Sequence, residues 1–568
     1  MRSTHAARTA ALATLTALAG CAASPFATTE ADRGVRVDRQ RLESIERFDI
    51  DQYATMYDTT SSDELAEPVN PFLALEEIPV SLEQARAWTL GNNLDLQVTL
   101  VDPVIANTRV EEEEAAWEWT FLAGGRFTNT DQPTATTLSG NQVEFQGADL
   151  GLRIPLRTGG VVDVSIPFSR TETDNIFTNP TSTETDVSVS IVQPLLRNAG
   201  RRTNTHALRI QSLEAQITEA FTKLEVIRQL AEADRAYWTV YATQEALRVA
   251  YEQYQLAVTQ LDVAKRRFNA RVVPEVEVVR AEEGVAQRIF AIINAQNSYQ
   301  AAQRNIKRIM NVDGLEMDSD TLIVLASDPD PVRYNIEADH MIDAALAQRM
   351  ELLELELRLA QDYSTIEFQK NQALPLATLD YTYRSNGLGT GYTGALDLAS
   401  RFEFEDHSVG FNVEVPIGNE AAEARVHRAI LSRLQRLATK DAREQAITRE
   451  VLDTLDAMET TWQRIVAAQR TVVLSQRVLQ GEQNQFEAGT RTSTEVLDAA
   501  TRLAEAQIAE IRALVDYQIS QVDLAFATGT LLGASRVRWQ PVDPRGPEDF
   551  YGDHTFDENS PKSDHGWD

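Results

Sequence analysis

The sequence predicts a fold that is α plus membrane β-barrel, with two structural repeats per chain, and three observations predict it. Apolar residues recur every seven positions over two long stretches, the period of a coiled coil. Between those stretches the period changes to two, as in strands with one apolar and one polar face. An offset of 218 positions relates Phe268-Asn269-Ala270-Arg271 to Phe486-Glu487-Ala488-Gly489, and it also pairs Glu277 with Glu495, Val278 with Val496, Ala281 with Ala499 and Tyr299 with Tyr517.

Composition narrows the possibilities. The 568 residues exceed one compact domain. With 53 basic and 85 acidic residues the formal charge is -32, which repels a phosphate backbone and sets nucleic acid aside. Beyond the N-terminus no run of about 18 apolar residues occurs, which excludes a polytopic helical transporter and leaves a lipid or a barrel as the route to a membrane. The only cysteine is Cys21, so neither a disulfide framework nor a cysteine metal site forms within one chain.

Residues 1–20 read as an export signal: Arg2, His5 and Arg8 precede a small and apolar run from Thr9 to Gly20. Leu18-Ala19-Gly20-Cys21 is similar to a bacterial lipobox, which implies cleavage before Cys21 and acylation of its sulfur. Ala22 stands where an aspartate would favour inner-membrane retention, so the resemblance implies an outer-membrane address. A plain secretory signal with an incidental cysteine is the alternative. Residues 21–77 then form a lipidated, extended linker, polar and acidic and without a core of its own.

The first repeat is expected over 78–310: a helix, strands at about 121–193 and a long helical hairpin at about 203–310. Trp117 and Trp119, just before the first strand, are packing residues or anchors at a membrane interface. Val162, Val164, Ile166 and Phe168 alternate with Asp163, Ser165 and Pro167, and Val187, Val189 and Ile191 with Ser188 and Ser190. A soluble sheet would turn the apolar face to a core; an exported, lipidated chain has membrane hydrocarbon as a second solvent for it. Val226, Ala233, Val240, Leu247, Tyr254, Leu261 and Phe268 mark the heptad. No proline lies between Pro194 and Pro274 and no glycine within 201–283, so one helix from about Thr205 to Phe268 is allowed, on the order of 95 Å long. Pro274 starts the descending helix, where its missing N–H costs nothing.

A linker at 311–335 leads to the second repeat at 336–533: a helix, strands at about 376–416 and a hairpin at about 420–530. Val409, Phe411, Val413 and Val415 alternate with Gly410, Asn412 and Glu414, and Val451, Met458, Ile465, Val472, Leu479 and Phe486 carry the second heptad. Residues 534–568 read as an acidic tail without its own core, with Pro541, Pro544, Pro547 and Pro561.

Ser81-Leu82-Glu83-Gln84-Ala85 with Asn92-Asn93-Leu94-Asp95-Leu96 resembles the opening helix of TolC-type outer-membrane efflux proteins, and Gln193-Pro194-Leu195-Leu196-Arg197-Asn198-Ala199-Gly200 resembles their strand-to-helix junction. Val415-Pro416-Ile417-Gly418-Asn419 forms the second junction, and Phe486 through Ala499 is similar to the helix-turn-helix tip of the second repeat. The resemblance spans about 78–533. It implies a homotrimer whose strands share one outer-membrane β-barrel, continued by a long α-helical coiled-coil tunnel across the periplasm. The family usually has four strands per subunit; here the offset between halves falls from 256 (Leu96 to Leu352) to 222 (Pro194 to Pro416), so the first half carries about 34 extra residues. These include Leu150 to Leu156 and Val162 to Phe168, and they are extra barrel strands or an extracellular hairpin.

By the same resemblance Glu495 and Asp498 form an acidic periplasmic gate. They lie three apart on one helix face, and three-fold symmetry makes six carboxylates of them. Arg491 matches the basic residue tying the closed tip, and Glu277 is the first-repeat counterpart of Glu495. The acidic partner of Arg491 falls at Ala286, so that latch is absent or rebuilt with Glu282 or Glu283. Phe268, Ala270 and Arg271 in one turn, and Phe486, Gly489 and Thr490 in the other, match the tips that receive a periplasmic adaptor, with Arg271 in place of a glycine.

No metal site is expected, because the seven histidines show no ligand spacing. No cofactor beyond a lipid on Cys21 is expected, and no catalytic motif argues for an enzyme. The resemblance therefore implies a passive exit duct that takes cargo from an inner-membrane pump through an adaptor, in efflux or type I secretion. The alternative is a structural lipoprotein that tethers the outer membrane without transport.

Overall fold

The computed structural model describes residues 70–72, 75–133, 140–175 and 177–539. The signal at 1–20, Cys21, the linker up to residue 69 and the tail from 540 onward lie outside the described residues. In chain order the elements are β1 (Glu77–Val80), α1 (Leu82–Asn92), α2 (Leu94–Glu114), β2 (Thr120–Asp131), β3 (Gln142–Pro155), β4 (Val161–Thr173) and β5 (Thr181–Pro194). There follow α3 (His206–Asn269), α4 (Glu275–Met310), β6 (Leu322–Leu325), α5 (Ala338–Gln348), α6 (Met350–Gln372), β7 (Leu376–Gly389), α7 (Tyr392–Ser400), β8 (Glu405–Glu414), α8 (Glu420–Glu487) and α9 (Ser493–Ala527). None of the described helices is long and apolar enough to cross a membrane.

Helix starts follow local chemistry. Ser81 and Gln84 form a reciprocal capping box on α1, and the Asn93 side chain accepts from the Leu96 amide at the head of α2. Asn93 also binds the far end of its repeat: its Nδ2 donates to the Ile309 carbonyl at 2.9 Å. In the second repeat Arg349 heads α6 and donates from Nη1 to the Ala527 carbonyl at 3.0 Å. The residues correspond at offsets of 256 and 218, so the duplication extends to which side chain holds which helix end.

The seven-residue seam is the core. Val226, Ala233, Val240, Leu247 and Tyr254 on α3, and Val451, Met458, Ile465, Leu479 and Phe486 on α8, are all buried. α3 packs along α4 and α9, and α9 along α8, which sets the four in a strip ordered α4, α3, α9, α8. The strip ends on unpartnered apolar faces: Val276, Val279, Phe290 and Ile293 on α4, and Leu431, Leu434, Val473 and Leu474 on α8. A buried fork joins α1 to α3, with Arg86 Nε and Nη2 each 2.7 Å from the two carboxylate oxygens of Asp234.

The long strands form one sheet in the order β2-β3-β4-β5-β7-β8, every neighbour antiparallel. Its register carries one chemical row across all six strands: Phe121, Leu152, Val164, Val189, Tyr383 and His407 are successive partners. The adjacent row is Thr120, Arg153, Asp163, Ser190, Thr382 and Ser408, on the other face, with Arg153 and Asp163 paired at 2.8 Å. The extra residues of the first half therefore add two strands to the same sheet, which has six among the described residues against the four that the resemblance implies.

Two small elements escaped the sequence reading. β1 and β6 pair in parallel, closing a two-stranded sheet between the linker's end and the stretch between repeats. Four-residue strands are too short for alternation to show. α7 interrupts the second pair of strands and lies on the apolar face, where Ala395 and Ala399 are buried with Thr183, Thr185 and Ser385. Gly387 permits this approach, since a Cβ there would lie 2.0 Å from the Ala395 carbonyl oxygen. The flanking segments also reach the core: Phe72 meets Tyr299 edge-on at 5.2 Å, and the Trp539 indole donates to Glu219.

Candidate functional site

The two turns that join α3 to α4 and α8 to α9 share one backbone design. In the first, the Arg271 amide donates to the Phe268 carbonyl at 2.8 Å and the Val272 amide to Arg267 at 2.9 Å; in the second, Gly489 donates to Phe486 and Thr490 to Gln485, both at 3.0 Å. This pair of bonds is the Schellman cap, which needs a left-handed residue just past the helix. Gly489 supplies it at φ 79°, and Arg271 adopts it at φ 57°. For a residue with a Cβ this conformation costs about 1 kcal/mol. The arginine in the glycine position therefore leaves the turn intact. Ala270, Arg271, Gly489 and Thr490 are all exposed.

The acidic residues separate into distinct roles. Glu495 turns back on its own helix: its carboxylate accepts from the Thr492 amide at 2.6 Å and from Arg491 Nη1 at 2.8 Å. These bonds hold its carboxyl below the usual carboxylate range, the Thr492 amide contributing most. Arg491 also meets Glu482 at 3.3 Å and Gln485 Oε1 at 3.0 Å, all within the second hairpin. Asp498 is exposed and makes no hydrogen bond or ion pair among the described residues. Of the candidate latch residues, Glu282 pairs with Lys265 at 3.5 Å and Glu283 accepts from Gln287 at 3.2 Å; neither meets Arg491 within the chain.

Glu277 is placed differently. It is buried, and its Oε2 accepts from the Ser493 hydroxyl at 2.6 Å and the Ser493 amide at 3.2 Å, while Oε1 pairs with Arg280 at 2.7 Å. Burial acts to raise its pKa, but the Ser493 bonds and Arg280 outweigh it and hold the carboxyl below its ordinary value. A carboxylate of the first hairpin thus caps the N-terminus of α9, where the helix dipole favours negative charge. Arg267 makes the complementary tie. Its guanidinium donates to the carbonyls of Phe486 at 2.7 Å and Glu487 at 3.1 Å, and lies 4.3 Å over the Phe486 ring. One hairpin therefore holds the other by its positive and negative helix ends together.

The sequence reading missed Arg267 and Ser493. A basic residue in a last helical turn is common, and nothing in the spacing shows that it reaches a second helix. At the next level Gly284 faces Leu497, where a Cβ would lie 2.8 Å from the leucine Cδ1, so the missing side chain lets α4 and α9 close.

At the other end of the molecule, the polar face of the sheet gathers Asp149, Arg153, Asp163, Asp186, Asp380 and Arg384. Gly410 makes room for the Asp380 carboxylate, whose oxygen would be 2.3 Å from a Cβ there. Trp119 is exposed at the start of β2, and Arg157 covers the Trp117 ring at 5.2 Å.

A chain with paired helical hairpins below a sheet of one apolar and one charged face matches one known group. The sequence model of the family described as "Outer membrane efflux protein" fits residues 161–312 and 341–530, more than half of the chain. This chain belongs to the outer membrane efflux protein family. Within that family, Outer membrane protein TolC of Escherichia coli (strain K12) is 23% identical over 367 residues, covering 62% of this chain and 70% of that protein. TolC of Salmonella enteritidis is 22% identical over 378 residues, covering 65% and 74%. Two solved outer-membrane channels share the fold: CmeC of Campylobacter jejuni, with TM-score 0.59 at 14% identity over 79% of this chain and 86% of its own, and OprN, with TM-score 0.58 at 16% over 79% and 90%. The family match falls in two stretches, one in each repeat of this chain, and begins at β4, so β2 and β3 of the six-stranded sheet lie outside it.

Proposed function

We propose that this protein is a lipid-anchored, trimeric exit duct of the outer membrane, which passively conducts cargo delivered by an inner-membrane pump through a periplasmic adaptor in efflux or type I secretion. The observation that carries the reading is the division of the sheet: Phe121, Leu152, Val164, Val189 and Tyr383 on one face suit hydrocarbon, and Arg153, Asp163, Ser190 and Thr382 on the other suit a water-filled passage. Membrane hydrocarbon cannot satisfy the bare edges of such a sheet, so several copies close it. The ends of the molecule agree on the sense of closure, since β2 and α4 end one side and β8 and α8 the other. Head-to-tail contacts of this kind generate rings.

In this reading the hairpin tips are the gate and the docking end. Asp498, exposed and unpaired among the described residues, lines the mouth with Glu495 behind it, and the exposed turns at Ala270, Arg271, Gly489 and Thr490, with Phe268 beside them, meet the adaptor. Cys21 carries the lipid. A strain lacking the protein is expected to become several-fold more sensitive to toxic compounds, or to stop secreting a protein, with restoration by the intact gene. Unchanged resistance and secretion across a broad panel would sink the duct.

A further inference from the structure

We propose that the barrel formed by this chain has eighteen strands, three sheets of six, closed by pairing β8 of one copy with β2 of the next. The inference rests on the three-copy reading above and adds to it the width of the passage through the membrane.

The extra hairpin is part of the wall. β3 pairs with β4 from Val143 to Pro155, and β2 with β3 from Thr120 to Asp131, both without a break in register. The alternation of faces continues to the edge: Phe121 and Phe127 lie on the apolar side of β2, with Arg126 and Thr128 opposite. A hairpin serving as an external loop would not need to extend both chemical faces over twelve positions.

Both edges are ready for a joint. β2 is exposed at every position but Thr130 and β8 at every position but Gly410, whereas the interior strand β4 is half-buried throughout. The six strands alternate in direction, so the last runs opposite to the first and a β8-to-β2 junction between copies is antiparallel, as in the rest of the sheet. The faces also agree, because Val409 and Phe411 continue the apolar side that Phe121 and Phe127 begin. Closure of one copy on itself would give a six-stranded barrel too narrow for the charged face, and in this structure β2 and β8 stand at opposite ends of the sheet and do not pair with each other.

Strand number sets width. With strands about 4.8 Å apart and tilted by about 40°, eighteen of them enclose a backbone cylinder of radius about 18 Å, against about 12 Å for twelve. The open cross-section roughly doubles, so the membrane section does not limit the cargo and selection falls to the helical end.

The test is a reconstruction by electron microscopy of the full-length protein extracted with lipid, read for symmetry and strand count. The expected particle is three-fold, with eighteen strands and a backbone diameter of about 36 Å. A three-fold barrel of twelve strands, with β2 and β3 folded off the wall, would overturn the width and leave the duct standing. A two-fold ring that reaches twelve strands from two chains would overturn it as well. A particle without a closed barrel would remove both this inference and the function it rests on.

Discussion

The two hairpin tips have the same backbone and opposite duties. Each ends in a Schellman cap with a left-handed residue, yet Phe268 of the first is 41% exposed while its counterpart Phe486 is 4% exposed beneath Arg267. Glu277 crosses to α9, whereas its counterpart Glu495 folds back onto its own helix and Arg491. The first tip gives ties and the second receives them. A duplicated element has kept its turn and divided its side-chain work, so equivalent positions need not respond alike to mutation.

The largest effect is expected where a tie is buried. Glu277→Ala leaves the Ser493 amide and hydroxyl without their acceptor and should cost about 2–3 kcal/mol at the head of α9. Hydrogen exchange there should speed by more than tenfold, while Glu495→Ala, losing an exposed cap, should change it far less; equal effects would break the asymmetry. Next, Arg267→Ala removes two charge-assisted bonds and the cover of Phe486, for about 2 kcal/mol. Its readout is Phe486 packing, followed by methyl or aromatic NMR or by protease cleavage at the tip; an unchanged second tip would show that Arg267 holds nothing.

Smaller effects separate the two turns. Gly489→Ala places a Cβ at φ 79° and should destabilise by about 1 kcal/mol, visible as a lower thermal midpoint. Arg271→Gly should stabilise by about 0.5 kcal/mol, because it relieves a left-handed arginine, part of the gain being lost to the freer unfolded chain. Opposite signs at equivalent positions would be the sharpest form of the comparison. Acid supplies a last test. Glu277 is held below its ordinary pKa, so its contribution is complete above the usual carboxylate range and disappears as pH falls through the depressed value. Tip opening should therefore begin only in acid below that range, and Glu277→Gln should make it pH-independent at this site.

The long helices were legible because their cause is local and repeated: a seven-residue seam and the lack of proline and glycine over more than sixty positions leave a helix little alternative. Strand alternation was legible at Val162–Phe168 and Val187–Ile191 for the same reason. For β2 and β3, strands were legible from about residue 121, but whether the extra residues join the barrel or form an extracellular hairpin was not, since pairing is a long-range choice and Phe121–Gly125 breaks the alternation with Leu122, Ala123 and Gly124. At the tips, Arg491, Glu495 and the glycine turn came from the resemblance, while Arg267 and the burial of Glu277 depend on how two hairpins lie together, which no spacing within either one encodes.

The joint between β5 and β7 has a consequence for biogenesis. Thr183 to Pro194 pair with Thr378 to Gly389, so nearly two hundred residues, including a complete helical hairpin, separate the two halves of the sheet along the chain. β2 through β5 can assemble as a local meander soon after export, but β5 then waits with Val187, Val189 and Ile191 on an open edge until β7 arrives. During that interval the chain offers a greasy template for wrong pairing, which the arrival of β7 removes.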